Sequence, residues 1–420
     1  MRRSAVALTC VLLVMPASGS AQDLTVDEMV ALALERSPTL SAVRTDLDVA
    51  RGQVVEAGLR PNPMVGASRQ EMLDGLDNQT MVEVQWPLDL FRRPARLASA
   101  RQELEVASLG IADRERLVAA SVREQAGRVL EARRTLSVLE ELVVASRVMR
   151  DVMEARVREG AAPRLDLDIV RVELQRVEAQ EALQSAQAEA ALIELRALIG
   201  LEPDSASTLR GDLEEAVRSA PELDSGSGRT LTDNRVDVRE AIARIRLAET
   251  RLEQVRREGG IDASVIGEYA RMNAGFPQRA FDDGGGLVPI QGLFNNLRVG
   301  VVVTVPIWDR NQGQVAAASA DRRRAEYGAA ASRLSARAEV AVAETRERAA
   351  RRVVELYGSG ARDQARRNLG VVREAYQLGR STLVDVLGEQ RRFLDVEMAY
   401  TQALSEAYQA RTALRRAKGQ

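Results

Sequence analysis

The strongest constraint on the fold is an internal duplication whose spacing stays constant over much of the chain. Pro87 and Pro306 are separated by an offset of 219 (306 − 87), and each proline closes a segment in which apolar residues alternate along the chain. Gly160 and Gly379 have the same offset (379 − 160 = 219). One constant offset over this length indicates two copies of a single structural unit, with no gap between these markers.

Upstream of Pro87 the spacing between the two copies is shorter. Leu40 aligns with Val238 at an offset of 198 (238 − 40). The second copy therefore contains an insertion equal to the difference between the two offsets (219 − 198 = 21), which we place at 274–296. The predicted domains are a signal peptide at 1–21, a first repeat at 22–200, an inter-repeat connector at 201–230 and a second repeat at 231–420.

Each copy is predicted to begin with a helix that leads into two strands. In the first copy Asp23 or Thr25 caps a helix that runs to about Leu59 and is interrupted near Ser37 and Pro38. The following segment alternates apolar and polar residues, which is typical of a strand with one apolar face. We predict strands at about 63–70, 79–88, 261–272 and 297–308.

A very long helix follows the strands of each copy. From about Leu97 to Arg158 the chain contains no proline and no cluster of helix breakers. At 1.5 Å per residue such a helix is roughly 90 Å long, so it needs packing partners along its whole length. A tight turn and a returning helix to about Leu198 complete the first copy. The second copy repeats this order with a helix at 313–377, a turn at 378–382 and a last helix to about 416.

The start of the chain, 1–21, has the pattern of a secretory signal. Two arginines precede an apolar stretch from Ala5 to Met15, and small residues end at Ala21, where we expect cleavage. The only cysteine, Cys10, lies inside the apolar stretch in a poor context for lipidation, which disfavours a lipid anchor. The chain is therefore predicted to be exported.

The composition excludes several classes of function. The chain has no histidine, and the predicted mature chain has no cysteine, so it lacks the usual general base, the usual nucleophile–base pairs and a soft metal site. We expect no enzymatic activity and no cofactor. The net charge of −2 predicts no nucleic-acid binding.

The four predicted strands are long enough to cross an outer membrane when tilted. Later stretches of the sequence are not apolar for long enough to form a membrane-spanning helix, so the chain enters a membrane, if at all, as strands. Four strands cannot close a barrel, whereas three chains supply twelve strands and twelve long helices. We therefore predict a homotrimer.

The order of these motifs, and their double occurrence, resembles the TolC family of outer-membrane channels over essentially the whole mature chain. The residues that carry the resemblance are the run Gly58-Leu59-Arg60-Pro61-Asn62-Pro63 before the first strand, Pro306-Ile307-Trp308-Asp309-Arg310-Asn311-Gln312-Gly313 after the last, and Tyr376, Gly379, Leu383-Val384-Asp385-Val386-Leu387 at the second turn. The Asp309–Gly313 stretch is most similar to the CzcC branch, which serves heavy-metal pumps of the resistance-nodulation-division (RND) type.

The resemblance implies a mainly helical fold with a membrane β-barrel. Its elements are a duplicated helix–β-hairpin–long helix–turn–helix unit, a trimeric twelve-stranded barrel and a long periplasmic helical barrel. It implies that the chain passively conducts metal cations or drugs in the outer membrane of a Gram-negative bacterium. The implied partners are a periplasmic adaptor, an inner-membrane pump, of RND type by the same branch assignment, and outer-membrane lipid.

The resemblance also assigns roles at the two helical tips. Gly160, Gly379, Arg380 and Ser381 are expected to contact the adaptor. Asp385 is expected to project into the pore at its narrowest point, where three chains would place three carboxylates that attract cations.

A latch is expected beside this pore. Tyr376 matches a tyrosine that bonds an aspartate of the other tip, here Asp166. The sequence departs from the family pattern where a second pore aspartate is replaced by Gly388, followed by Glu389, and where a latch arginine is replaced by Ser381. We include Glu389 among the candidate gate residues.

Structural interpretations remain open beside these functional ones. Asp166 and Asp385 also fit the role of helix caps, and Tyr376 also fits that of a packing residue. Trp86 and Trp308 fit either a core or an aromatic belt at the membrane surface. The run from Asp282 to Gly286 fits a loop better than a calcium site. At the level of function, the alternative is an exported periplasmic coiled-coil or adaptor-type protein without a pore, which leaves the four membrane-length strands unexplained.

Overall fold

The computed structural model describes residues 23–73, 77–219 and 232–420. The predicted signal peptide, most of the predicted loop at 74–78 and the end of the predicted connector at 220–230 lie outside the described residues.

The described chain follows the order that the duplication predicts. The helices are α1 (Val26–Arg36), α2 (Pro38–Gly58), α3 (Arg92–Arg158), α4 (Arg164–Leu198), α5 (Leu213–Arg218), α6 (Val236–Glu258), α7 (Gln312–Leu356), α8 (Arg362–Gln377) and α9 (Leu383–Lys418). The strands are β1 (Asp23–Leu24), β2 (Met64–Glu71), β3 (Asn78–Pro87), β4 (Thr208–Leu209), β5 (Asp262–Phe281) and β6 (Leu287–Thr304). In the segments described above, every helix is too short or too polar to cross a membrane.

The chain divides into two compact units. Of the described residues, the first consists of 23–41, 114–219 and 339–420. The second consists of 42–73, 77–113 and 232–338.

The second unit contains an antiparallel sheet with the strand order β2-β3-β5-β6. Its edge strands are therefore β2 from the first copy and β6 from the second, while β3 and β5 join the two copies at the centre. Along β3 exposed residues alternate with half-buried ones, and Val82, Val84 and Trp86 are on the more exposed face. The predicted apolar face of this strand is therefore turned outward from the unit.

The hairpin of the second copy is longer than the sequence predicts. Strands predicted at 261–272 and 297–308 instead extend over Asp262–Phe281 and Leu287–Thr304, and most of the predicted inserted loop at 274–296 lies inside this hairpin. The extra residues pair with each other across the two strands, so backbone hydrogen bonds replace the expected loop. The first hairpin differs from its prediction by only one residue at each strand end.

A tight turn closes the long hairpin. The Asp282 carboxylate accepts hydrogen bonds from the amides of Gly284, at 3.1 Å, and Gly286, at 2.7 Å. The same oxygen, Oδ1, accepts both bonds, as in an aspartate-stabilised turn. The Asp282–Gly286 run is thus a turn whose leading carboxylate is engaged by its own backbone.

The first unit is held by a core in which α1, α3, α4 and α9 meet. Its largest fully buried residues include Met29, Val122, Leu195 and Leu404. Helix α1 enters this core through a capping box, in which the Thr25 hydroxyl accepts from the third helical amide and the Glu28 carboxylate accepts in return. This cap agrees with the predicted helix start.

The long helix of the second copy is broken, contrary to the continuous helix predicted at 313–377. A single π-helical turn, Tyr357–Ala361, separates α7 from α8, and Gly360 inside it has a φ of 153°. Only glycine adopts this backbone conformation readily. The equivalent stretch of the first copy, at the offset of the duplication, is part of the unbroken helix α3.

We predict that the seam between α3 and α9 tolerates no side chain at Gly127. A Cβ built there lies 2.5 Å from Cδ1 of Tyr408, whose burial raises the pKa of its hydroxyl to about 12. Gly127→Ala is expected to lower the free energy of unfolding by about 1–3 kcal/mol, because a half-buried ring packed against α3 must move. Thermal unfolding of the detergent-solubilised protein, followed by circular dichroism, measures this.

The matched control is Gly370→Ala in α8. A Cβ at Gly370 has no heavy atom of the described chain within 4 Å, and alanine favours a helix over glycine by about 1 kcal/mol. This variant is expected to unfold at the same temperature or higher. Equal destabilisation by both substitutions would contradict the packing argument.

Candidate functional site

The two helical tips are built by the same backbone motif. At the end of α3 the amide of Gly160 donates to the carbonyl of Val157 at 3.1 Å, and that of Ala161 donates to Arg156 at 2.7 Å. Gly160 has a φ of 73°, which ends the helix in the left-handed conformation. The chain then turns and enters α4.

The second tip repeats this motif at the offset of the duplication. The amide of Gly379 donates to Tyr376 at 3.0 Å, that of Arg380 donates to Ala375 at 2.8 Å, and Gly379 has a φ of 71°. In the described chain no heavy atom lies within 4 Å of a Cβ built on either tip glycine. The glycines are therefore required by backbone conformation, and the surface above them is open.

Asp385 is exposed and caps the helix of its own tip. Its Oδ2 accepts from the amide of Thr382 at 2.9 Å and from the hydroxyls of Thr382 at 2.7 Å and Ser381 at 3.4 Å. The amide of Asp385 donates in return to the Thr382 hydroxyl, which completes a capping box. These hydrogen bonds, chiefly those from Thr382, hold the pKa of the carboxyl below its ordinary value.

Asp166 occupies the equivalent place in the first tip but has different surroundings. Pro163 precedes its helix where Thr382 precedes α9, and a proline offers no side-chain cap. Asp166 is half-buried in the first turn of α4, and its amide donates to the Pro163 carbonyl at 3.2 Å. The capping interpretation thus describes Asp385 well, whereas Asp166 has no equivalent side-chain partner at its N-cap.

Tyr376 packs between the two tips within the first unit. Its hydroxyl donates to Sδ of Met153 at 3.9 Å, and the Arg156 guanidinium lies 5.3 Å from the ring centroid. The ring contacts a small core formed by residues of both copies: Met153, Leu167, Val170, Leu383 and Leu387. Burial raises the pKa of the hydroxyl, and Asp166 is close enough to act in the same direction. The hydroxyl is directed to Met153 in this single chain, and not to the expected Asp166.

Glu389 is placed differently from the other candidate gate residues. It lies one turn after Asp385, but its side chain is only 11% exposed and pairs with Arg392 at 2.7 Å. Its helix neighbours Val386 and Gln390 are also buried, and Gln390 donates to the hydroxyl of Ser146 in α3 at 3.0 Å, so this face of α9 is turned into the chain. Among the remaining candidates, Arg380 is exposed and Ser381 is half-buried.

An ion pair that was not predicted from the sequence links the two copies near the tips. Glu173 of α4 is buried and accepts from Arg391 of α9 at 3.0 Å and from Arg176 of its own helix. The hydrogen bonds from these two guanidiniums, with Arg176 the stronger, lower the pKa of Glu173. Glu173 and Arg391 are far apart in sequence, and no local motif reveals such a pair.

Comparison with known proteins identifies the family. The family model of the outer membrane efflux protein matches residues 29–201 and 229–420. The chain belongs to this family. The two matched segments correspond to the two copies of the structural unit.

Three relatives show how far the likeness extends. The cobalt-zinc-cadmium resistance protein CzcC of Cupriavidus metallidurans is 24% identical over 404 residues, which cover 95% of this chain and 91% of CzcC. The solved CmeC outer membrane channel of Campylobacter jejuni is 14% identical, with a TM-score of 0.76 over 100% of this chain and 94% of CmeC. The outer membrane protein VceC of Vibrio cholerae is 19% identical, with a TM-score of 0.73 over 94% of this chain and 96% of VceC.

The family membership confirms the resemblance on which the sequence analysis relied, and the solved relatives confirm the fold class. This member of the family is an outer-membrane efflux channel protein. The alternative of a periplasmic coiled-coil protein without a pore is therefore set aside. The roles of the tip residues stay predictions.

We predict that the capping box orders the first turn of α9. Thr382→Val removes the hydroxyl that accepts from the Asp385 amide and donates to its carboxylate. Amide hydrogen exchange in the first turn of α9 is expected to accelerate about five-fold, the effect of losing an N-cap. Hydrogen-exchange mass spectrometry measures this, with the start of α4 as the internal control. Unchanged exchange in α9 would contradict the capping role.

The same box predicts a dependence on pH. The pKa of Asp385 is lowered from its ordinary value of 3.8, so the stabilisation is fully present above that value and is lost as the pH falls through the lowered pKa. Exchange rates, corrected for intrinsic pH dependence, are expected to stay constant from pH 7 to about pH 5 and to rise below about pH 4. The Thr382→Val variant is expected to lose this rise. A transition near neutral pH would contradict the assignment.

Proposed function

We propose that three copies of this chain form a passive conduit across the outer membrane. The conduit receives its substrate from an inner-membrane pump through a periplasmic adaptor and does no chemistry itself. The observation that carries the proposal is a four-stranded sheet with an exposed apolar face and two open edges. Membership of the outer membrane efflux protein family supports it.

The apolar face of the sheet needs an environment other than water. On β6 the side chains of Leu297, Val299 and Val301 are 78%, 74% and 63% exposed, and they alternate along the strand. A continuous exposed apolar surface of this kind is typical of contact with lipid or another protein. Burying such surface contributes roughly 25 cal/mol for each Å² removed from water, so it strongly favours insertion.

The open edges need other strands. In lipid every backbone donor and acceptor must be satisfied within the protein, so β2 and β6 cannot remain edges there. Pairing β2 of one copy with the facing part of β6 of the next continues the sheet from copy to copy by a single repeated contact. A closed ring built in this way has rotational symmetry, and three copies supply twelve strands.

The helical tips supply the proposed gate and the adaptor surface. Asp385 is the exposed carboxylate of the second tip, and we assign it to the constriction, with Tyr376 and Asp166 beside it. The open backbone surfaces at Gly160 and Gly379, with Arg380 and Ser381, are proposed to contact the adaptor. Glu389 is buried and paired, so we propose that it orders the helix behind the gate.

The proposed cargo is a divalent metal cation. The support is the likeness to the CzcC protein, which is named for resistance to cobalt, zinc and cadmium. In the part of the chain that the structure describes, there is no group of three or more Asp, Glu, His or Cys side chains placed to hold a metal ion. A conduit that carries these ions needs only weak attraction along its length, and carboxylates that are separated from each other provide it.

We predict that Asp385 sets the ion selectivity of the closed channel. The purified mature protein, incorporated into planar bilayers, is expected to give small cation-selective openings. Asp385→Ala is expected to reduce the cation-to-anion permeability ratio several-fold, because it removes one carboxylate per chain from a confined aperture. Glu389→Gln is the matched control and is expected to leave the ratio unchanged.

Three outcomes test different parts of this proposal. A protein that never inserts into bilayers would overturn the conduit. A conducting channel that is indifferent to Asp385→Ala would remove Asp385 from the constriction. A channel that responds more to Glu389→Gln than to Asp385→Ala would reverse the two assignments.

The cargo is tested in cells. Deleting this chain is expected to raise the cellular content of cobalt, zinc or cadmium severalfold under metal stress, while leaving the retention of an organic dye unchanged. Inductively coupled plasma mass spectrometry and dye fluorescence measure the two. Accumulation of the dye without the metals would contradict the proposed cargo.

A further inference from the structure

One row of side chains across the middle of the sheet contains charges of both signs on its polar face. In the strand register Gly66 is opposite Glu83, Glu83 is opposite Glu268, and Glu268 is opposite Arg298. Directly opposed residues on antiparallel strands are on the same side of a sheet. We call Glu83, Glu268 and Arg298 the charged row.

The charged row is on the side of the sheet opposite to the apolar face. The next row along the strands contains Val84, Gly267 and Val299, whose side chains point the other way because the period of a strand is two residues. Val84 and Val299 are 41% and 74% exposed and belong to the face that we assign to lipid. The charged row therefore faces the interior of the closed assembly.

The charges in this row are not fully balanced. Arg298 Nη1 lies 2.9 Å from Glu268 Oε2, and the Glu268 side chain is only 11% exposed. Glu83 lies on the other side of Glu268, and its carboxylate extends over Gly66, whose built Cβ would be 3.9 Å from Glu83 Oε1. One arginine thus faces two carboxylates, which leaves a formal charge of −1 in the row of each chain.

The two carboxylates of the charged row repel each other, which costs stability. Like charges directly opposite each other on neighbouring strands destabilise a sheet, and Glu83 and Glu268 are in that relation. A glutamine at either position would keep the shape of the side chain and remove the repulsion. Gly66, which is opposite Glu83 on β2, has no side chain that could cover this carboxylate.

We propose that the charged row is a second selectivity element, located in the wall of the transmembrane part and separate from the tips. Glu83 makes the local potential negative and favours cations, Glu268 anchors Arg298, and Arg298 limits the negative potential. The inference rests on the proposed function, since the row acts on cargo only if the sheet closes into a conduit. The substrate class of this element is a hydrated cation that moves along the inner wall of the conduit without binding tightly.

The local potential can be measured with a single introduced thiol. The only cysteine of the sequence, Cys10, lies in the predicted signal peptide, so the mature chain is a cysteine-free background. Gln85→Cys places a thiol on the same face as Glu83 and about 7 Å along the strand. Its rates of reaction with a cationic and an anionic methanethiosulfonate reagent report the sign and size of the potential.

The expected result is a cationic-to-anionic rate ratio well above that of a free thiol. Glu83→Gln, added to Gln85→Cys, is expected to lower this ratio by about five-fold or more, the effect of removing one charge at about 7 Å in water. Arg298→Gln is expected to raise it, and Arg298→Lys to restore it. Arg69→Gln, which removes a charge from the opposite face, is expected to leave it unchanged.

Two controls keep this result separate from the proposed function. Val84→Cys points to the apolar face and is expected to react slowly with both charged reagents. If the thiol at position 84 reacts faster than that at 85, the assignment of the faces is wrong. If the protein conducts in bilayers but neither Glu83→Gln nor Arg298→Gln changes the cationic-to-anionic rate ratio at position 85, the charged row is not a selectivity element. The proposed conduit is then unaffected. If the wild-type protein does not conduct, the proposed function fails, and this inference fails with it.

Discussion

The whole structure depends on a sheet that one chain cannot complete. Its four strands satisfy each other along three shared edges, but the outer edges of β2 and β6 have to find partners elsewhere. The same sheet exposes an apolar face that water does not solvate well. We propose that association of copies pairs the outer edges and that insertion into lipid covers the apolar face. In each copy a long helix follows the hairpin along the chain.

Duplication explains the regular parts of the molecule, and divergence explains the parts with a proposed function. Both tips end their long helix with a glycine in the left-handed conformation and the same pattern of amide donors. Only the second tip has the capping box of Thr382 and Asp385, and only the second long helix contains the π-helical turn Tyr357–Ala361. The two tips of the chain therefore share a backbone conformation and differ in their side chains.

Local signals in the sequence predicted most of the fold. Prolines, glycines and capping residues are short-range signals, so the start of α1 at Thr25 and the reversals at Gly160 and Gly379 are readable from the residues themselves. The full length of the second hairpin could not be predicted from local residues, because pairing between residues 274 and 292 depends on contacts across the strands. Two glycines at 358 and 360 were a visible signal for the break after α7 that the sequence analysis missed. The burial of Glu389 depends on which helices surround α9, and this information is absent from its own helix.

The central claim is that the open edges of the sheet close by association of a small, fixed number of copies. Native mass spectrometry of the mature protein, released from detergent micelles, tests this most directly. We expect one dominant species of three chains that persists after collisional removal of the detergent, because backbone hydrogen bonds would join the copies. A dominant single chain that stays folded and soluble without detergent would contradict it.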